Sequence, residues 1–495
     1  MIKTTSMEPG RIRTETLIVP VCPDGDLYRS AALLDLVRQA LDIPTFKGKQ
    51  GEELILYRMS DLKAERVVFL GVGPEAELTL ERLRQAAGKG TARAQHAAPG
   101  TAVLAVPDIA KGDPPRREAT LTAVAEGALL SNHRQNRYQS EPEVQPLKSI
   151  RLHTDAAMTK KAAPLLKRVE AVCRGTLQAR DWINQPANEK RPDQLAETMA
   201  RAAREHGLKT TILDEKKLAA LGMGNLLAVG GGSAHPPRLL IVEYRPPKTK
   251  GTIALVGKGV TFDAGGLNLK PTGSIEQMKV DMAGAAAVAA SVIAMAQIGS
   301  RQRVVGVMPL VENMVSGSAF RPGDIVRAVN GRTIEIGNTD AEGRLILADA
   351  LAYTAKTYRP RVMIDMATLT GACVVALGEK MAGLFSPDDP LRGLIEKAGQ
   401  EVHERCWPMP LPEDYRELLK SDLADMRNIG PHRWGGAIVA ALFLSEFVEK
   451  TRWAHIDIAG PAHHKKGGPY HQSGATGFGV RLLCRIVAAL QEENL

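Results

Sequence analysis

Three short stretches place acidic side chains where an apolar run meets a loop or helix. TFDAGG (261–266) holds Asp263, QMKVDMAGAA (277–286) holds Asp281, and NTDAEGRL (338–345) holds Asp340 and Glu342 with Arg344 close behind. Asp263 follows the strand-like run TIALVG, Asp281 precedes an alanine-rich helix, and the octet follows RTIEI (332–336). Loops at the carboxyl ends of strands are where open α/β sheets build their sites. If the three loops share one rim, four carboxylates converge. They cannot stay ionised together without compensation, because each unit of pKa shift costs about 1.4 kcal/mol. Two divalent cations would balance them, and oxygen ligands suit Mg2+, Mn2+ or Zn2+. The octet has a plainer local reading. Asn338, Thr339 or Asp340 serves as a helix N-cap, with Glu342 a first-turn acid facing the helix dipole. On spacing alone both readings stay open.

Other chemical signals are decoys. GTIALVGKG (251–259) imitates a phosphate-binding loop, but five residues separate Gly251 from Gly257, and Gly259 stands where a Ser or Thr is needed. GVG (71–73) lacks the third glycine of a dinucleotide loop, and neither HExxH nor GxSxG occurs. His463 and His464 are adjacent, so their side chains diverge; a surface pair in a loop is expected.

The elements that must position the acids can be read from periodicity. TLIVPV (16–21), RVVFLGVG (66–73), TAVLAVP (101–107) and PLKSIRLH (146–153) read as strands, and residues 80–97 and 118–135 as helices. A long helical pattern over 158–184 ends at NQPANEKRP, where two prolines break it. Beyond it lie stronger strand-like runs: LLAVGGGS (226–233), RLLIVEY (238–244), TIALVGKG (252–259), RVVGVMPLV (303–311) and VMIDMATL (362–369). Several are apolar on both faces, as strands of a helix-covered sheet must be. Asn330-Gly331 between IVRAV and RTIEI signals a hairpin. The expected fold is two α/β domains: a smaller N-terminal one (1–157), a connecting helix (158–184), and a larger one (185–495) with a mixed central sheet covered by helices.

Composition bounds the partners. The chain has 495 residues, 44% hydrophobic and 24% charged, a globular profile able to build large cores. The formal net charge of +9 permits nucleic-acid contact, but the basic residues are scattered in short runs such as RIR (11–13) and KK (160–161). A basic nucleic-acid-binding protein is therefore the alternative reading. The five cysteines are far apart with no CxxC pair, which fits a reducing, cytoplasmic setting. No apolar stretch of signal-peptide length opens the chain. AGAAAVAASVIAMAQIG (283–299) is short for a membrane span and is expected to be a buried helix.

VGKGVTFDAGGLNLKP (256–271), MKVDMAGAA (278–286) and NTDAEGRL together resemble the leucyl aminopeptidase (cytosol aminopeptidase) family. Supporting segments are DWINQPAN (181–188), RPGD (321–324), ATLTGA (367–372), SDLADMRN (421–428), GGAIVAALFL (435–444) and HIDIAGPA (455–462). The likeness covers roughly 180 to 485; the first domain is assigned by position only. It implies a peptidase cleaving Leu or other apolar residues from peptide N-termini, with the catalytic domain at 185–495. It also implies two divalent ions per subunit, Mn2+ or Zn2+, held by Lys258, Asp263, Asp281, Asp340 and Glu342. Lys270 and Arg344 would be catalytic cations, Lys270 on the developing gem-diolate oxygen and Arg344 holding a bicarbonate as general base. Met278, Thr368, Leu369 and Gly371 would line the pocket for the first side chain. A homohexamer is implied as well. One departure stands out: the family usually reads TFDSGG, and here Ala264 replaces the hydroxyl residue.

Overall fold

The computed structural model describes residues 2–95, 100–109, 113–141, 144–247, 249 and 251–492. The chain divides into two compact α/β units, Met1–Cys173 with Lys466–Ser473, and Arg174–Lys465 with Gly474–Leu495. The helix Ala156–Asn184 runs across the division.

The first unit is built on a six-stranded sheet. In spatial order its strands are Ile2–Thr5, Ser149–His153, Thr101–Ala105, Thr14–Val21, Ala64–Gly71 and Glu53–Tyr57. All neighbours pair in parallel except the last, which is antiparallel. The strands Ile2–Thr5 and Glu53–Tyr57 escaped the sequence reading. Both are edge strands, short and only partly buried, so neither carries the continuous apolar run of a central strand.

The second unit holds a nine-stranded mixed sheet. Its centre comprises Arg452–Asp457, Val362–Ala367, Thr252–Gly257 and Arg303–Asn313, mutually parallel, with Gly259–Asp263 parallel to the end of Arg303–Asn313. Arg238–Tyr244 and Lys209–Leu213 extend one side antiparallel. Alternation along a strand separates the two covering helices. Val305 and Val307 share a core with Leu345, Leu347 and Leu351 of the helix Glu342–Tyr358. Gly306, between them, faces Val288 and Val292 of Ala283–Ile298. That second helix is the alanine-rich run, and it is almost wholly buried. Small side chains on every face let it lie close to the sheet.

Three local expectations are corrected. LLAVGGGS is not a strand; Gly224–Gly230 is helical, with Leu226 and Val229 buried one turn apart and Asp349 accepting from the Leu226 amide (3.0 Å). The hairpin of Ile325–Arg327 and Thr333–Glu335 exists, but its turn is longer than two residues. Gly331 N–H donates to Ala328 O, and Gly331 takes φ 92°, the left-handed residue that follows a type I turn. The histidine pair lies in a two-residue strand, His463–His464, paired with Gly474–Ala475, and is half-buried.

Candidate metal centre

The parallel strands deliver the candidate residues to one rim. Lys258 directly follows Thr252–Gly257, Asp263 ends Gly259–Asp263, Asn313 ends Arg303–Asn313, Thr368 follows Val362–Ala367, and Asp457 ends Arg452–Asp457. Because these strands run the same way, their carboxyl ends share one edge. Asp281 arrives from the 3-10 turn Met278–Val280, and Glu342 is the first residue of Glu342–Tyr358.

The structure also answers the capping reading of the octet. The N-cap of Glu342–Tyr358 is Ala341, and no side chain caps it. Asn338 Oδ1 accepts from the Asp340 amide at 2.7 Å, which tightens the turn before the helix. Thr339 Oγ1 donates to Gly265 O (2.7 Å), tying the octet to the TFDAGG loop. Asp340 is thus free of capping duty, while Glu342 does stand in the first turn, as the capping reading expected.

The side chains interlock. Lys258 Nζ lies 2.7 Å from Asp281 and 3.0 Å from Glu342, and donates to Thr368 O at 2.9 Å. Lys270 Nζ lies 2.9 Å from Asp263 and 2.5 Å from Asp340. Thr368 Oγ1 donates to Asp281 Oδ1 (2.7 Å), and Asn313 Nδ2 to Asp263 Oδ1 (2.9 Å). Gly265 takes φ 89°, and its amide also donates to Asp263 Oδ1 (2.9 Å). A Cβ on Gly343 would sit 2.4 Å from Lys258 Cε, so glycine there is what lets the helix end approach the lysine. Ala264 needs no hydroxyl to hold its loop: its amide donates to Asn313 O and its carbonyl accepts from Lys270 N–H, both at 2.9 Å.

Six charges crowd this rim, four negative and two positive. Burial disfavours the ammonium of Lys258, yet Asp281, Glu342 and Asp263 outweigh it and hold its pKa above the ordinary lysine range. Lys270 is raised in the same way, chiefly by Asp263 against burial. Burial and neighbouring acids push Asp263 up to about 6 and Asp281 up to about 8, and raise Asp340. Glu342 is lowered: burial works against this, but Lys258 and Lys270 prevail.

The donor set fits divalent ions. Asp263, Asp340 and Glu342 offer oxygens within 4.8 Å of one another. Glu342 Oε2 is buried with no hydrogen-bond partner among the described residues. Carboxylate oxygens in this number are the ligands of hard and borderline dications. Lys258 joins such a set only after losing its proton, so binding releases protons.

A pH dependence follows. A carboxyl whose folded pKa is raised keeps a proton that the unfolded chain, near 3.9, has lost. Its stabilising contribution is full below about 4 and disappears as pH rises through 6 to 8. Chelator-treated protein is therefore expected to lose stability over that window, and Mn2+ to restore more at pH 8 than at pH 5. Thermal unfolding at both pH values checks this; equal gains from Mn2+ would contradict it. Asp281→Asn should flatten the dependence.

Arg344 is buried, and its guanidinium donates to Asn428 O at 2.8 Å. Its Nε has no hydrogen-bond partner among the described residues, and burial draws its pKa down to about 10, still fully charged at neutral pH. Of the residues expected to line a pocket, Thr368 touches Asp281, and Leu369 N–H donates to Asp457 Oδ1 (3.1 Å). Met278 is half-buried three residues before Asp281. Gly371 is exposed at the start of Gly371–Leu377, and a Cβ there would touch nothing within 4 Å.

Three supporting residues lay unassigned in the sequence. Asn313 orients Asp263. Asn428 accepts from Gly337 N–H (2.7 Å) and donates to Asn338 O (2.7 Å), bracing the octet. Asp457 accepts from Leu369 N–H, Thr370 Oγ1 and Ala459 N–H, holding the loop whose Thr368 carbonyl meets Lys258. Asn428 and Asp457 fall in segments that carried the family likeness, which was the one signal available for them.

The cytosol aminopeptidase family matches this chain twice, its catalytic domain over residues 177–484 and its N-terminal domain over 18–142. A probable cytosol aminopeptidase of a Geobacter species is 41% identical over 489 residues, 97% of this chain and 98% of that protein. Another, from Chlorobaculum tepidum, is 44% identical over 89% of this chain and 90% of its own. Among solved structures, the bottromycin maturation enzyme BotP in complex with Mn is 37% identical with a TM-score of 0.85, covering 96% of this chain and 99% of that one. A mutant of tomato leucine aminopeptidase is 33% identical with a TM-score of 0.87, covering 98% and 96%.

Proposed function

The chain belongs to the cytosol aminopeptidase family and is a metal-dependent aminopeptidase acting on peptides; we propose that it uses two divalent ions and prefers N-terminal Leu or other apolar residues. The observation that carries this is the convergence of Asp263, Asp281, Asp340 and Glu342 on one rim with Lys258 and Lys270 between them. Those four acids and Lys258 would hold the ions, Mn2+ or Zn2+. When bound, such a pair supplies Lewis acidity, an activated water near neutral pH and an anchor for the substrate's free α-amine. The Mn in the BotP structure is in keeping with this.

The remaining work falls to the chain's own residues. Asn313 and Thr368 keep Asp263 and Asp281 in fixed rotamers. Lys270 holds a full positive charge against Asp263 and Asp340 and retains 15% of its side-chain surface open, where it can meet an oxygen that gains negative charge. Arg344 keeps a buried Nε–H with no hydrogen-bond partner among the described residues and suits a bicarbonate, which would supply a general base. We take the catalytic domain as 185–495 and the setting as cytoplasmic; the word cytosol in the relatives' names supports the setting.

Met278, Thr368, Leu369 and Gly371 are assigned to the pocket for the first side chain. Their surface is mostly apolar, and the space beside Gly371 leaves room. Leucyl- and methionyl-anilides should be cleaved faster than aspartyl- or glutamyl-anilides, with two metal ions in fully active protein. Faster release of acidic residues, or activity with no more than one ion per chain, would overturn this reading.

Assembly is proposed as a homohexamer. Six copies at +9 each repel, so the basic residues should lie on its periphery. Light scattering at physiological salt tests this, and a monomeric mass would contradict it.

A further inference from the structure

The first unit contains a cavity of about 270 Å³ that peptide hydrolysis leaves without a role. Ser6, Val106, Asp108 and Thr154 line it, so it opens at the carboxyl ends of the parallel strands Ile2–Thr5, Thr101–Ala105 and Ser149–His153. Crevices in that position are where open parallel sheets take ligands. Its size falls just under the roughly 300–1,000 Å³ usual for ligand pockets, which suits a small metabolite.

Its lining is of two kinds. Leu33, Leu121 and Met158 form an apolar wall. The lining also holds two guanidiniums, Arg29 and Arg117, and three carboxylates, Glu8, Asp108 and Asp155. Arg29 Nε lies 2.5 Å from Asp108 Oδ2, and Arg117 pairs with Asp155. Arg117 Nε stays 3.6 Å from Asp108 Oδ1, too far for a hydrogen bond, and that buried oxygen has no hydrogen-bond partner among the described residues. His153 is buried in the lining and adds no charge at neutral pH, because burial lowers its pKa.

These groups decide the ligand's chemistry. The ionisable lining carries one net negative charge, so a phosphate or other simple anion is repelled. A simple cation would leave unused the guanidinium N–H groups that Asp108 and Asp155 do not engage. A zwitterion satisfies both signs at once: its carboxylate takes the free N–H groups of a guanidinium, and its ammonium takes a lining carboxylate, Asp108 foremost, whose Oδ1 makes no hydrogen bond among the described residues. The carboxylate is favoured further because Ala31–Leu41 begins at Ser30, in the cavity wall, and helix N-termini attract negative charge. An apolar side chain then covers the Leu33, Leu121 and Met158 surface. We propose that this cavity binds a free α-amino acid with an apolar side chain. The argument rests on the cavity alone and is independent of the peptidase's substrate preference.

Hydrogen–deuterium exchange on the intact metal-loaded enzyme tests it with four probes: L-leucine, isoamylamine, 4-methylpentanoate and inorganic phosphate. L-leucine should slow exchange in segments 27–34, 104–109 and 150–158, while its decarboxylated and deaminated analogues and phosphate should not. Asp108→Asn should raise the half-saturating leucine concentration by roughly tenfold or more, the loss of one charge-assisted hydrogen bond. No protection by leucine in those segments overturns the proposal. So does equal protection by phosphate or by either single-charge analogue. The wild-type comparison decides the matter even if the variant fails to fold.

Discussion

Lys270→Ala is expected to lower kcat by about 10²–10³, the usual loss of one oxyanion donor, while the metal ions stay bound. Lys270 touches two proposed ligands, Asp263 and Asp340, so its removal could be thought to loosen the site. Electrostatics argues the reverse. Lys270 is a fixed positive charge beside the dications, and removing it leaves four carboxylates facing them with less repulsion. Metal should therefore be held at least as tightly, and the loss should fall on the chemical step. Arg344→Ala should cost less, because bicarbonate or water still reaches the site, and added bicarbonate should partly restore the rate. Lys258→Ala should differ from both and weaken metal binding itself, since Lys258 Nζ sits between Asp281 and Glu342. The comparison requires kcat and elemental analysis for all three variants across bicarbonate concentrations. Loss of metal from Lys270→Ala with retention in Lys258→Ala would reverse the assignment of catalyst and ligand.

Glu342→Gln is expected to strip metal and bring activity to background with the fold intact. The amide keeps the shape of a fully buried side chain, and its oxygen can still accept from Lys258. What disappears is one negative charge of four, together with a ligand oxygen that has no other partner among the described residues. Affinity should fall by more than the roughly 10–100-fold that removing an outer partner of a ligand costs. Asn313→Ala provides that milder comparison, because Asn313 orients Asp263 and braces the Thr339 carbonyl without itself belonging to the proposed ligand set. Metal titration followed by calorimetry, with circular dichroism to confirm folding, separates the two variants. Binding of two ions by Glu342→Gln at unchanged affinity would remove Glu342 from the ligand set.

Much of the site was legible because its chemistry is concentrated in short motifs. TFDAGG and NTDAEGRL each combine a strand end, a turn and charged residues within eight positions, so local spacing alone raised the possibility of a metal rim. Three of the four central strands were equally plain, since burial on both faces demands an unbroken apolar run such as IALV (253–256), whereas Arg452–Asp457, whose run RWAHID is interrupted by polar and charged residues, was not read as a strand. The weaker elements were not plain either. LLAVGGGS has a strand's composition, yet Gly224–Gly230 is helical, because Asp349, more than a hundred residues away, satisfies its amino-terminal amide. Edge strands such as Glu53–Tyr57 bury too little to leave an apolar signature.

By itself, the sequence determined which residues could ionise, donate or ligate, and that the chain alternates strands and helices. Tertiary structure alone decided that Lys258, Asp263, Asp281, Asp340 and Glu342 meet, since parallel pairing in one register brings the ends of distant strands to a single edge. It also decided that Asn313, Asn428 and Asp457 serve that edge. An amide or a carboxylate looks the same in sequence whether it faces water or braces a loop, and only its burial beside a specific partner distinguishes the two. The same holds for the cavity of the first unit, where Arg29, Asp108 and Arg117 come together only because the sheet and its flanking helices fold around them.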